Sequence, residues 1–295
     1  MHEIWARGYG VQLQTDHINV TIRVPLNNSN RLQFKSAANA GCILWPMSGR
    51  SERQDWDDLS VLDPYWAILS EPTRRLGGWD TEAFLQSGRD AIDALLCDGA
   101  RFGLPLARHN ALDFGCGAGR LTRALSGHFE RCLGLDISAH MIEEAREVTA
   151  DSGNCDFVLH DTQDLSSLDT CGFDLVVSLL VLQHIPAADA KARYIAEFVR
   201  VLRPGGLLVF QLPSQIPAWH RIQPRPRLYR FLRRAGVPRA MLYQQLSLHP
   251  IRMSFLPRSR VLRGIEAAGG RTLEVRERRI TGGVMSSNYL VTKDD

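Results

Sequence analysis

The stretch Asp113-Phe114-Gly115-Cys116-Gly117-Ala118-Gly119-Arg120 decides how the rest of this 295-residue chain is read. It closes a short apolar run, residues 111–115, that reads as a strand, and it opens a helix at Arg120. Glycines at such a turn let the backbone bend sharply and let a ligand approach the main chain without meeting a Cβ. Backbone amides at the helix start can receive a carboxylate or phosphate. A lone G-x-G is common to several kinds of nucleotide-binding sheet. The dinucleotide fingerprint G-x-G-x-x-G needs its third glycine at position 120, where Arg120 stands. Here the third glycine is Gly119, and Asp113 lies two residues ahead of the first. A carboxylate at that place suits a cationic ligand and suits a pyrophosphate badly.

Strand and helix signals alternate on either side of this loop. Residues 132–136 read as a second strand, 139–149 as a helix, 156–159 as a third strand and 173–178 as a fourth. A helix over 188–202 is stopped by Pro204-Gly205-Gly206, and a fifth strand covers 207–212. Upstream, residues 82–96 carry Phe84, Leu85, Ile92, Leu95 and Leu96 on one helical stripe. Downstream, a helix over 258–268 ends at Gly269-Gly270, and strands over 272–280 and 288–292 flank a Gly282-Gly283 turn. The pattern predicts an α/β fold: a Rossmann-like, seven-stranded, mostly parallel sheet with helices on both faces. Around it the expected organisation is an extension over 1–46, where only residues 17–24 alternate like a strand, and a helical, aromatic cap over 47–108. The main domain then spans 109–295, with a basic helical insert after strand five at about 214–257.

The G-x-G-x-G loop with its preceding acid resembles the first motif of class I S-adenosylmethionine-dependent methyltransferases. "LGLDISAHMIEEAR" resembles that family's second motif, "FDLVVSLLVLQHI" its fourth strand, "VLRPGGLLVF" its Pro-Gly-Gly segment and "SSNYLVTKD" its last strand. The resemblance covers about residues 112–212 and implies S-adenosylmethionine as cofactor. It implies that Asp113, Gly115, Cys116, Gly117 and Gly119 cradle it, that Asp136 takes both ribose hydroxyls, and that Ile137 and Met141 pack near the adenine. Asp161, with Thr162 beside it, is the candidate reader of the adenine amino group; Asp164 is the nearby competitor. Asp136 also reads as a plain helix cap.

Methyl transfer from a sulfonium is an in-line displacement with a leaving group already activated, so the protein mainly aligns the acceptor's lone pair. A hydroxyl acceptor also needs its proton removed. Ser178 to His184, at the end of the fourth strand, should line the reaction space. His184 is the candidate base, since its reference pKa near 6.5 suits proton acceptance around neutrality. A histidine that only bridges the loop is the competing reading. Ser178-Leu179-Leu180-Val181 stands where the DNA amino-methyltransferase motif would need its prolines, and no Pro-Cys pair exists for a cytosine-type nucleophile. Ser178 also stands where metal-assisted catechol chemistry usually has an acid, so no metal is expected.

The net charge of +3 conceals an asymmetry. Residues 215–280 hold fifteen arginines, no lysine and three glutamates, a local charge of +12 that leaves −9 for the rest. That polarity implies an anionic partner, an internal charge interface or a solvated face. Trp219, Tyr229 and Phe231 lie among these arginines, which recognise carboxylates and phosphates in bidentate fashion. The segment reads as a lid for an anionic or glycan-like acceptor, as a basic helix on a membrane surface, or as an RNA contact, although no RNA-binding module accompanies it. Trp56, Tyr65, Trp66 and Trp79 either close the pocket or simply pack the core. No apolar run of about 18 residues suggests a transmembrane helix. No secretory pattern stands at the N-terminus, and six scattered cysteines form no CxxC pair, so a cytoplasmic location is expected.

The expected function is methyl transfer to an oxygen, or less readily a nitrogen, of a small-molecule or glycan-like acceptor. The competitors are a non-catalytic module that keeps the fold, a nucleic-acid methyltransferase, and a nicotinamide-dependent oxidoreductase, which Arg120 and the scarcity of lysine oppose. Oligomeric state is not legible in the sequence.

Overall fold

The structure, a computed structural model, describes residues 48–218 and 222–294. The expected extension over 1–46 and the run Trp219-His220-Arg221 lie outside the described residues. Strands β1 (Asn110–Phe114), β2 (Arg131–Asp136), β3 (Cys155–Leu159), β4 (Phe173–Ser178), β5 (Leu202–Gln215), β6 (Gly270–Ile280) and β7 (Val284–Lys293) form one sheet in the order β3-β2-β1-β4-β5-β7-β6. The first five pair in parallel, and β7 runs antiparallel between β5 and β6. The seven-stranded, mostly parallel Rossmann-like sheet is therefore present. Its strand order reverses between β1 and β4, and ligands of open α/β sheets bind outside the carboxyl ends of the strands at such a reversal.

Helices α1 (Ser48–Leu62), α2 (Pro64–Ile68) and α3 (Thr81–Ala100) precede the sheet; α4 (Arg120–Leu125), α5 (Ala139–Val148) and α6 (Ala188–Val201) connect its strands. α7 (Pro224–Arg234), α8 (Arg239–Gln244) and α9 (Arg258–Ala267) follow β5. Strand side chains alternate between two faces, and the core divides accordingly. Leu112 and Phe114 of β1 pack with Tyr194, Ile195 and Phe198 of α6 and with Val261 and Ile265 of α9. Ala111 faces Ile92, Leu95 and Leu96 of α3 and Leu121 and Leu125 of α4. By the same alternation Asp113 points toward α4, where Thr122 meets it.

β5 departs from the sequence reading. It starts at Leu202, directly after α6, and runs through Pro204-Gly205-Gly206 rather than beginning beyond it. Pairing with β4 jumps from Phe173↔Leu202 to Leu175↔Leu207, so the Pro-Gly-Gly segment is a bulge inside the strand. The insert returns to the sheet as an extended segment that is stitched down by Ser254 N–H to the Gln183 carbonyl (2.7 Å) and Leu256 N–H to the Pro213 carbonyl (3.1 Å). No helix among the described residues is long and apolar enough to cross a membrane.

Candidate functional site

The loop after β1 is pinned to β2: the amides of Gly115 and Cys116 both donate to the Leu135 carbonyl, at 2.7 and 2.9 Å. Gly115 and Gly117 hold left-handed backbone at φ +77° and +53°. A Cβ at Gly115 would meet Val181 at 2.3 Å, and one at Gly117 would meet Ile68 at 2.5 Å. Neither position tolerates a side chain. Gly119 caps α4, also left-handed. The Cys116 side chain turns down into a small cluster with Ile142, Ala145 and Phe157, so that residue offers the site its backbone alone.

Asp136 ends β2, half-buried, with one carboxylate oxygen accepting from Gly117 N–H (2.8 Å) and the other from Ser138 N–H (2.9 Å). Burial pushes its pKa up, against those amides. A carboxylate has about four acceptor sites, so these two amides leave it capacity to accept further donors such as the hydroxyls of a diol. Asp113 is wholly buried beneath the loop and accepts the Thr122 hydroxyl at 2.7 Å. Burial raises it to about 6, opposed by that hydroxyl and by Arg120. It can act on a bound cation by its field, not by an exposed oxygen. Ile137 is half-buried beside Asp136. Met141 is buried with Leu59, Trp66 and Ala118.

Past β3, Asp161 and Thr162 are exposed. Asp161 lies 4.0 Å from Arg53, while Asp164 is occupied in its own turn by the hydroxyl and amide of Ser166, which also lower its pKa. At the end of β4, Ser178 is wholly buried and its hydroxyl has no hydrogen-bond partner among the described residues. Six residues further, His184 Nδ1 lies 2.7 Å from the Arg252 carbonyl and Nε2 lies 3.1 Å from the Gln183 amide nitrogen. A carbonyl only accepts, so Nδ1 carries the proton and the lone pair sits on Nε2. Burial lowers the imidazole to about 4, which keeps it neutral at pH 7.

Several residues of the site, Trp56 excepted, were given no role by the sequence. On one face of α1, Arg53, Trp56, Asp57 and Ser60 reach across the strand ends. Arg53 meets Asp161, Trp56 packs edge-on against His184 with ring centroids 5.1 Å apart, and Asp57 accepts the Ser138 hydroxyl at 2.6 Å. Lys191, almost fully buried, donates to the Ile185 carbonyl (2.9 Å) and the Ser254 hydroxyl (2.8 Å), tying the His184 loop to the returning insert. Burial lowers its pKa to about 8. Spacing along α1 was the available signal for the first group; for Lys191 there was none.

Part of the basic segment turns inward. Arg230 pairs with Asp55 at 2.9 Å, and Arg239 and Arg233 approach Asp58 at 2.5 and 3.9 Å. Tyr243 donates to buried Asp63 at 2.8 Å, and Trp66 and Tyr65 pack in the same cluster. The aromatic cap thus both packs a core and closes over the loop. Between α1 and the insert a small cleft is lined by Glu52, Asp55 and Trp56 of α1 and by His184, Arg230 and Arg252, among others. Among the described residues no group of three or more His, Cys, Asp or Glu is placed to hold a metal ion.

Taken together, the site fits S-adenosylmethionine: a glycine loop with no room for a Cβ, the Asp136 carboxylate at the end of β2, and at the end of β4 the Ser178 hydroxyl, which has no partner among the described residues. A family model described as a methyltransferase domain matches residues 112–210. The malonyl-[acyl-carrier protein] O-methyltransferase of Enterobacter lignolyticus is 32% identical over 190 residues, which cover 61% of this chain and 71% of that protein. The ubiquinone biosynthesis O-methyltransferase of Xanthomonas oryzae is 26% identical over 174 residues, 59% of this chain and just under two thirds (66%) of the relative. The crystal structure of magnesium protoporphyrin IX methyltransferase from Synechocystis with bound S-adenosylmethionine superposes with a TM-score of 0.54 at 17% identity, covering 88% of this chain and 100% of that one, a likeness of fold. With this match to a relative over most of its length, and with its own cofactor-shaped loop, the chain belongs to the S-adenosylmethionine-dependent methyltransferases.

Proposed function

We propose that the protein moves a methyl group from S-adenosylmethionine to an oxygen atom of a small-molecule or glycan-like acceptor that carries an anionic group. The observation that carries this reading is His184, neutral at pH 7 and held with its lone pair on Nε2, where only the Gln183 amide meets it among the described residues, at the edge of the Trp56–Arg252 cleft. Oxygen as the acceptor atom is supported by the two relatives named O-methyltransferases.

When bound, the cofactor supplies a methyl group on a sulfonium, a leaving group that needs no further activation. The protein's part is alignment and proton management. Asp136 would hold the ribose, and the loop from Gly115 through Gly117 to Gly119, whose glycines let a ligand approach the backbone, would take the amino-acid end, while Ile137 and Met141 would flank the base. Asp161 and Thr162 lie at its rim, and Asp113 contributes negative field from below. Gln183 gives up its contact to Nε2, which then receives the acceptor's hydroxyl proton. Arg252 meets the acceptor's anionic group; unlike Arg230, it has no carboxylate partner among the described residues. Trp56 and Ile68 exclude water from above.

A second reading rests on the same geometry. Both ring nitrogens of His184 already have protein partners, so the residue also serves as an anchor for the returning insert.

Calorimetric titration with S-adenosylmethionine, with NAD as control, tests the cofactor assignment; Asp136→Ala should weaken binding by about a hundredfold, the loss of two hydrogen bonds to a charged group. An acceptor screen then starts with hydroxylated carboxylates and phosphates. Transfer to oxygen that falls in Arg252→Gln supports the reading, and transfer confined to uncharged amines overturns it.

A further inference from the structure

The inner and outer faces of α7 have different employment. Pro226 and Tyr229 are buried, and Arg230 and Arg233 reach inward to Asp55 and Asp58. On the outer face, one turn apart, Leu228 and Phe231 are 47% and 67% exposed. The helix period sets Arg225 on one side of that apolar ridge and Arg227 and Arg234 on the other. All three arginines are exposed and have no carboxylate partner among the described residues. Five of the ten large apolar side chains that the described surface exposes fall between Ile222 and Leu246, so apolar exposure is concentrated on the insert. No Asp or Glu occurs between Glu197 and Glu266. An aromatic and aliphatic ridge rimmed by arginines, on a surface without one carboxylate of its own, is the arrangement of a helix that lies in a lipid headgroup layer. The apolar side chains enter the acyl boundary, and the guanidinium groups stay at the level of the phosphates.

We propose that the outer face of α7 docks on an anionic lipid bilayer, with Leu228 and Phe231 inserted and Arg225, Arg227 and Arg234 on the headgroups. The charge complementarity selects anionic over zwitterionic lipid, and the ridge selects a bilayer over a nucleic acid, whose phosphates would engage the arginines alone. The inner-face ion pairs hold the helix against α1, so docking brings the cleft of Trp56 and Arg252 to the membrane surface. Docking does not depend on which acceptor the enzyme uses.

Flotation of the full chain with vesicles of phosphatidylcholine, alone or mixed with phosphatidylglycerol, tests this. Binding to the mixed vesicles that weakens as salt rises is expected, with little on phosphatidylcholine alone. Replacing Arg225, Arg227 and Arg234 by Gln should weaken partition by about fivefold for each residue. The Leu228→Gln, Phe231→Gln double variant should lose binding even at low salt while its melting temperature and S-adenosylmethionine affinity hold. Absence of binding to the mixed vesicles overturns the proposal. So does binding that the double variant retains, or tight binding to RNA that ignores the double substitution.

Discussion

Ser138 donates its hydroxyl to Asp57 at 2.6 Å, across 81 positions of sequence, and so fastens α1 to the N-terminus of α5 one turn from the Asp136 carboxylate. The same hydroxyl accepts from Met141 N–H at 3.3 Å and caps α5. One side chain therefore starts the helix behind the cofactor loop and latches the helix above it. Asp57→Ala removes the latch and keeps the cap. A hydrogen bond to a charged group contributes about 1.5 kcal/mol or more, so S-adenosylmethionine should dissociate about tenfold faster from this variant. Stopped-flow displacement measures that rate. An unchanged rate would mean that α1 does not cover the bound cofactor.

How much of this was legible follows the range of the interactions involved. The β1–α4–β2 unit was readable because its signals are local: an apolar run, a glycine turn and an acid at the strand end, all between Ala111 and Asp136. The start of β5 was misread because Pro204-Gly205-Gly206 is locally a stop, whereas pairing with β4 carries the strand through it as a bulge. The role of α1 was hidden for a related reason. Arg53, Trp56 and Asp57 acquire meaning only against Asp161, His184 and Ser138, about 80 to 130 positions away. The +12 segment was visible as charge, but its division into an inner face paired to Asp55 and Asp58 and an outer face facing solvent depends on where α7 packs.

Asp113 should make stability fall with rising pH over the acid range. Its folded-state pKa, raised to about 6 by burial, lies above the ordinary aspartate value of 3.8. The folded protein therefore binds a proton more readily than the unfolded chain, and this group favours folding most at low pH. That advantage is lost as pH rises from about 4 through about 6, a step of about 3 kcal/mol. Asp113→Asn removes the titration and should flatten the step in urea unfolding curves taken across that range, at some cost in S-adenosylmethionine affinity. A wild-type and variant difference that does not change with pH would show that Asp113 does not titrate there.

Tyr243 reaches from the insert to Asp63, which also accepts the amides of Trp66, Leu76 and Gly77. Leu76 sits at φ +64°, a left-handed conformation costly for a branched side chain and held by its amide bond to this carboxylate. Tyr243→Phe withdraws one donor from a buried charge and should destabilise the protein by about 2 kcal/mol. The loss should show as a lower melting temperature in thermal unfolding. A melting temperature equal to wild type would mean that Asp63 is satisfied by its backbone donors alone.

His184 separates the proton-accepting role from the anchoring one through pH. Burial lowers its folded pKa to about 4, below the ordinary histidine value of 6.5, so the imidazole is already neutral and able to accept at any pH above about 5. A base with that pKa gives turnover no inflection near 6.5; the acid limb should fall only toward pH 4. The same shift makes the folded state bind fewer protons than the unfolded chain between about 4 and 6.5, so acidification through that window weakens the fold. His184→Ala should lower turnover by about a hundredfold or more while S-adenosylmethionine still binds. His184→Asn can keep a donor toward the Arg252 carbonyl but offers no imidazole lone pair. If His184→Asn restores the thermal stability lost in His184→Ala but not its turnover, Nε2 takes the proton. If it restores both, the residue acts only by tying the returning insert to the end of β4.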